Sequence, residues 1–511
     1  MDSPEGPLPP EVEPVLSAPL GLDRRALITK GIVWTGAFQI FLVAVNFVSM
    51  IVLVRLLPPS EYGRATAATG ILGLINCFNC SYFIAQAIQL REGERVDWSA
   101  HWHAGFYIQL ALFLVCNGCA VVAWMFPVYK PLAPLLHIAS IGLLIDFPNQ
   151  IAATSLRRDM DFRTLRLVQA AGTILTVVSS IGLALLGAGA SALIIGSNVL
   201  HGLPQGFYLL VLKKWKPPSP WWRWPDWGAY QAPLRFGAQL SGSAVLTAAR
   251  GMLEAMVLPG ALGYEAVGLL NRAQVLFSTT VGRVNTVVLE TVYPILPRSA
   301  ANREQFSRHA TLFIETMLML SIPGAIFVGI EGPHLSRLLY GMKWVAADPL
   351  IWPGTLFAWG VATVLIFTAV LQAQNKLRLA FTSSFIAAIS CLPAIFVALT
   401  GGEMLRYAWA LALGQMIGAG IVLKFASNVL RRGWLRRGLL PPVLAGGAAA
   451  ITLVLTDSRL AGLRILPKVC LDAALFALVV FSILRCLFAA TLRDIMQRLP
   501  ASSILMKAAR L

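Results

Sequence analysis

Long apolar runs separated by short polar turns dominate the chain. A helix rises 1.5 Å per residue, so about 20 mainly apolar residues cross about 30 Å of hydrocarbon. Fourteen stretches meet that length, at 31–54, 63–88, 104–126, 133–156, 165–187, 190–212, 231–258, 266–293, 310–330, 349–372, 378–400, 405–430, 440–457 and 465–490. The thirteenth is the shortest. The widest gaps are about 20 residues, too short for a globular domain, so the membrane part is the whole machine. The pattern predicts an all-α integral membrane protein of about 14 transmembrane helices.

The same pattern carries a weak internal repeat. Gln39 to Gly63 and Ser243 to Gly268 each run as a polar-dotted apolar helix, a Pro-containing turn, then Tyr62-Gly63 or Tyr264 to Gly268 opening the next span. The offset equals six spans and keeps orientation, which predicts two six-helix lobes in a parallel pseudo-twofold arrangement plus two C-terminal helices. The expected divisions are 1–23, a Pro-rich disordered cytoplasmic tail; 31–212, an N-lobe of spans 1–6; 213–230, an interfacial linker; 231–430, a C-lobe of spans 7–12; 440–490, spans 13–14; and 491–511, a cytoplasmic tail. Trp221-Trp222-Arg223-Trp224-Pro225-Asp226-Trp227 suits a linker lying in the cytoplasmic interface. Residues 1–23 lack a basic n-region and an apolar h-region, so they do not read as a cleaved signal.

Composition sharpens this picture. Only 13% of the 511 residues are charged and mean hydropathy is +0.70, which removes soluble enzymes from consideration. The net charge of +17 is mostly topological. Of 41 basic residues, 27 fall in the loops and tails of one side and 9 on the other, which predicts that both termini are cytoplasmic. Nothing in this charge asks for a nucleic acid partner.

Five basic residues remain within or at the edge of spans: Arg250, Arg272, Arg283, Lys424 and Arg485. The last two are near enough to span ends to snorkel. The other three represent about 8–10 kcal/mol on insertion scales unless hydrated or paired. At about 100° per residue, Arg272 and Arg283 are about 20° from eclipsed, and so are Arg283 and Glu290. Span eight therefore presents one polar stripe of Arg272, Thr279, Arg283 and Glu290. Gln239, Ser243, Arg250 and Glu254 share a face of span seven, and Gln39 and Asn46 form the matching neutral stripe of span one. Arg250 and Glu254, four residues apart, can alternatively neutralise one another. Asp146 adds a carboxylate in span four, with Glu315 and Asp472 nearer span ends. Guanidinium groups bind phosphate bidentately and stay charged at any physiological pH, so Arg250, Arg272 and Arg283 are read as a cationic cavity for a phosphate-bearing substrate.

Other chemistry finds little support. Cys77-x-x-Cys80 and Cys116-x-x-Cys119 lie in apolar spans, where reduced Cys acts as a small apolar residue; no metal or cofactor is expected. Gly414-x-x-x-Gly418 reads as close helix packing within the chain. His101 and His103 fall near a turn, where surface histidines are the default. Walker A, zincin and nucleophile-elbow motifs are missing, so the chain is not read as an enzyme.

Four segments resemble Wzx-type polysaccharide flippases: Leu53 to Gly63 (LVRLLPPSEYG), Ala153 to Arg163 (ATSLRRDMDFR), Leu262 to Ala273 (LGYEAVGLLNRA) and Val292 to Arg298 (VYPILPR). The resemblance implies membership of the multidrug, oligosaccharidyl-lipid and polysaccharide exporter superfamily, with two six-helix lobes in a V shape and two extra helices. It implies a polyprenyl-pyrophosphate-linked oligosaccharide as substrate, alternating access, and a proton or sodium gradient as energy source, for which Glu254, Glu290 and Asp146 are the candidate carboxylates. Possible partners are a polysaccharide polymerase and export machinery. Gln39 and Asn46 depart from superfamily members that carry charges in span one. A drug or metabolite exporter of the same superfamily, and a membrane glycosyltransferase or polymerase, are the alternatives.

Overall fold

The computed structural model describes residues 22–90, 94, 96–292, 295–300, 302–460 and 462–489; the two predicted tails lie outside these apart from Leu22 and Asp23. Among the described residues all regular structure is helical, as expected of a backbone that must satisfy its own hydrogen bonds in lipid. The helices are α1 (Leu22–Leu56), α2 (Pro59–Asn76), α3 (Trp98–Met125), α4 (Ala133–Arg158), α5 (Phe162–Leu185), α6 (residues 190–212), α7 (Gln231–Ala261), α8 (Gly263–Thr279, continued by Val281–Val292), α9 (Arg303–Tyr340), α10 (Asp348–Ala373), α11 (Leu377–Ile389, continued by Leu392–Leu399), α12 (Met404–Ser427), α13 (Leu440–Leu460) and α14 (Ile465–Leu487).

Eleven helices among the described residues are long and apolar enough to cross a membrane. The predicted spans outside that set are α6, α7 and α8, and each has a visible reason. α6 is broken into α- and π-helical pieces, α7 carries Arg235, Arg250 and Glu254, and α8 is interrupted at Thr280 and carries Arg272 and Arg283.

Short polar residues set the ends. The Asp161 carboxylate caps α5 through Thr164 N at 3.1 Å, immediately after Met160, whose φ of 54° turns the chain. Asn302 caps α9 through Glu304 N and Gln305 N at 3.0 and 3.1 Å. Arg158 donates to the carbonyls of Ala87, Leu90 and Glu94, tying the basic loop after α4 to the end of the second span.

Each lobe has its own core. Leu72, Leu112, Ala120, Leu132 and Leu136 pack in the first, and Phe306, Phe313, Phe367, Val370, Val422 and Trp434 in the second. A third cluster joins Val54, Leu57 and Tyr62 of the first lobe to Leu269, Phe277, Trp344 and Tyr407 of the second. α13 and α14 pack on α9 through Phe327, Ala449, Leu453 and Phe476. The Gly414-x-x-x-Gly418 pair lets α12 approach the break in α11: a Cβ at Gly414 would meet Ser390 O at 2.1 Å.

Candidate functional site

The span-eight stripe sits in a cavity of about 210 Å³ lined by Val43, Asn46, Phe47 and Met50 of α1 and by Arg272, Val275, Thr279 and Arg283 of α8. Arg272 is held from two sides. Its guanidinium carbon lies 4.6 Å from the centre of the Tyr62 ring, and its Nε and Nη2 donate to Asn271 Oδ1 at 3.2 and 2.6 Å. Arg283 is exposed at this site and Asn46 half-buried. Glu290 and Ser243 lie on described helical backbone, but their side chains fall outside the described residues. Gln39 is half-buried on α1 and Gln239 exposed on α7, and neither lines this cavity.

The span-seven stripe divides. Arg250 lines a cavity of about 280 Å³ inside the second lobe with Thr247, Thr368, Ser384 and Gln415, and its guanidinium lies 4.9 Å from the Phe357 ring centre. Glu254 lines a different cavity of about 430 Å³ between the lobes, with Thr66, Thr69, Ser197, Asn271 and Gln274 among its neighbours. The two side chains still approach to 3.9 Å across the helix. The structure therefore brings Arg272, Arg283, Thr279 and Asn46 together and places Arg250 apart from them.

A further polar cavity of about 280 Å³ lies in the first lobe between α4, α5 and α6. Asp146 lines it with Asn76, Gln150, Asn198, His201 and Gln205. Its carboxylate accepts from Asn79 Nδ2 at 2.8 Å and from Gln150 Nε2 at 3.2 and 3.3 Å. Asn79 also caps the short helix Cys80–Ile84 through Ser81 N at 2.9 Å, so the break after α2 fixes the residue that orients Asp146. Ser197 lines both this cavity and the one between the lobes. Sequence reasoning singled out only Asp146 here. The spacing of Asn198, His201 and Gln205, three and four residues apart on one helix face, was the available signal.

At one end the lobes meet directly. Tyr264 Oη donates to Val128 O at 2.7 Å, the Tyr129 hydroxyl donates to Met256 O, Trp344 Nε1 donates to Val54 O at 2.9 Å, and Arg55 donates to Leu338 O and Leu339 O at 2.6 and 3.2 Å. The repeated turns close this end reciprocally. A Cβ at Gly63 would meet Tyr264 O at 1.7 Å, and one at Gly268 would meet Pro59 O at 2.0 Å.

The Trp-rich linker docks on the first turns of α3. Trp102, His103 and Tyr107 reach the carbonyls of Trp221, Pro220 and Trp222 at 3.3, 3.1 and 2.7 Å, while Trp221, Trp222 and Trp224 stay exposed. His101 Nδ1 lies 2.7 Å from Tyr230 Oη, whose hydroxyl burial pushes upward in pKa. The two histidines are consequently buried, contrary to the surface setting their position near a turn suggests. At the far side, Lys468 of α14 pairs with Asp457 of α13 at 2.5 Å and lies 3.3 Å from His334 Nε2 of α9, which ties the last two helices to the second lobe.

Two lobes of bundled helices with a cavity between them define an all-α fold of membrane-spanning helices. A solved structure described as the lipid II flippase MurJ in an inward closed conformation superposes with a TM-score of 0.68 at 14% identity, covering 89% of this chain and 100% of that one. An inward-facing multidrug resistance transporter of the MATE family superposes at 0.52 with 14% identity, covering 75% and 93%. The profile of the polysaccharide biosynthesis protein family matches residues 52–349, and the chain belongs to that family. It is 22% identical over 339 residues to the teichuronic acid biosynthesis protein TuaB of Bacillus subtilis, a match spanning 66% of this chain and 69% of that protein. It is 21% identical to the succinoglycan biosynthesis transport protein ExoT of Rhizobium meliloti, a match spanning 63% of this chain and 65% of that protein. These findings agree with the resemblance carried by the four motif segments.

Proposed function

We propose that the chain is a flippase that moves polyprenyl-pyrophosphate-linked oligosaccharide repeat units across the bacterial inner membrane for surface polysaccharide biosynthesis. The observation that carries this reading is the convergence of Arg272 and Arg283 with Asn46 and Thr279 beside the cavity between the lobes. Two guanidinium groups at membrane depth are expensive unless an anion or water meets them, and pyrophosphate is the anion that suits their planar donor forks. In this reading Arg272 and Arg283 hold the pyrophosphate, the glycan occupies the polar cavities, and the lipid tail stays in the bilayer. Arg250, set in the second lobe beside Phe357, positions α7 and is not the first contact for phosphate. Glu254, facing the central cavity, is the favoured carboxylate for cation coupling, ahead of Glu290 and Asp146. The lobes are 31–212 and 231–430, with 440–490 as additional spans, and both termini are cytoplasmic, which the 27 basic residues of that side support. A polymerase and export machinery on the outer face would take the flipped product.

The test is deletion in the native host followed by complementation. Loss of the chain is expected to leave lipid-linked repeat units on the cytoplasmic leaflet, and Arg272→Ala and Arg283→Ala are each expected to restore export poorly at normal protein level. Normal flipping after deletion would defeat the reading; full export by both variants would defeat the phosphate-site assignment alone.

A further inference from the structure

The first-lobe cavity differs in kind from the α8 site. Its charged side chains are one carboxylate, Asp146, and one guanidinium, Arg157 from the last turn of α4; most of the rest of its polar lining is amide, with a single imidazole. A carboxylate opposes pyrophosphate, so this is not a second anion site. Nor does it suit a hard cation: its one carboxylate is matched by the Arg157 guanidinium, so the lining brings no net negative charge to hold one.

Amides and a carboxylate are what a sugar requires. Each hydroxyl both donates and accepts, and Asn and Gln side chains offer both functions in one plane. Asp146 is oriented by Asn79 and Gln150 and lines the cavity, where a carboxyl oxygen can accept from a sugar hydroxyl. His201 uses Nδ1 toward Thr176 Oγ1 at 3.2 Å, which turns its other nitrogen elsewhere. The backbone here is shaped for close approach. Cβ atoms at Gly142 and Gly172 would meet Asn198 O and His201 O at 2.0 and 2.3 Å, so these glycines seat the widened turn Ile195–Leu200, which carries Ser197 and Asn198, and His201 directly after it. Such π-helical turns recur at functional sites. The volume of about 280 Å³ is near the lower limit of small-ligand pockets and admits one sugar unit.

The geometry points to this cavity as a binding subsite for a single hydroxyl-bearing sugar residue of the lipid-linked substrate, recognised by Asp146, Gln150, Asn198, His201 and Gln205. Ser197 joins it to the central cavity, and Asn271, lining that cavity, is the residue bonded to Arg272. The central cavity therefore lies between a sugar end in the first lobe and a phosphate end on α8. The inference rests on the flippase reading, and the experiment separates the two.

Purified protein in detergent is titrated with polyprenyl pyrophosphate and with the same lipid carrying one glucose, galactose or N-acetylglucosamine. In the wild type at least one glycosylated lipid is expected to bind more tightly than the bare lipid. In Gln150→Leu combined with Gln205→Leu that gain is expected to fall about ten-fold, with bare-lipid affinity unchanged, which also reports an intact fold. Arg272→Ala is expected to weaken every lipid alike. If no sugar adds affinity in the wild type, or if the double variant weakens bare and glycosylated lipids equally, the sugar subsite is overturned while phosphate recognition stands. If the wild type binds none of the lipids, the flippase reading falls and the subsite with it.

Discussion

Arg272 has its guanidinium over the Tyr62 ring and donates to Asn271 Oδ1 at the rim of the cavity it lines. A lysine ammonium keeps the charge but loses both the planar fork and the stack on the ring. Arg272→Lys is therefore expected to lower polysaccharide export about ten-fold at matched protein level, whereas Arg283→Lys, at an exposed position, is expected to lower it less. Equal effects would show that charge alone is read. Helical arithmetic puts Arg272, Thr279 and Arg283 on one face, and all three do line one cavity although α8 is interrupted at Thr280, so the break leaves their direction largely unchanged. It could not place Arg250, which shares a face of α7 with Glu254 yet turns into the second lobe: a long side chain at a helix border chooses its side by what packs there, here Phe357. His101 and His103 were misjudged for a related reason, since the linker that covers them lies over 100 residues away in sequence.

Among whole elements, apolar length predicted most spans closely: 104–126 became Trp98–Met125 and 405–430 became Met404–Ser427. The breaks in α6, α8 and α11 were not legible, because a run of apolar residues reports immersion in lipid and not the continuity of the backbone. The repeat was legible as a pattern, yet its physical role emerges only in packing. Gly63 and Gly268 occupy equivalent places in the two halves, and each receives the other turn's backbone where a Cβ would stand, against carbonyl oxygens at 1.7 and 2.0 Å. Gly63→Val must push α2 from α8. With a cysteine introduced at Thr66, which lines the central cavity, the Gly63→Val background is expected to react several-fold faster with a membrane-impermeant maleimide added outside. Unchanged labelling would mean that the seam relaxes without opening.

For the molecule as a unit, the hydrogen bonds between the turns α1–α2, α3–α4, α7–α8 and α9–α10 tie the lobes together on the side with few basic residues, while α7 also packs on the first lobe toward the other side, where Gly237 lies against the Phe83 ring. Those turns join consecutive helices at alternate crossings, so this end of the bundle is held by tyrosine hydroxyls, Trp344 and Arg55 against backbone carbonyls. The alternating access that the resemblance implies suits this seal, since hydrogen bonds to carbonyls can be surrendered to water on opening while the buried cores of the lobes would stay intact. Holding the seal shut should then stop transport without harming the fold. In a background with the seven native cysteines replaced, Arg55→Cys and Leu339→Cys joined by a short reducible bifunctional thiol reagent are expected to abolish polysaccharide export, and reductant is expected to restore it. Either cysteine alone, treated in the same way, should leave export near the untreated level. Continued export by the fully cross-linked pair would mean that the substrate does not leave through this end, and that the lobes need not part there.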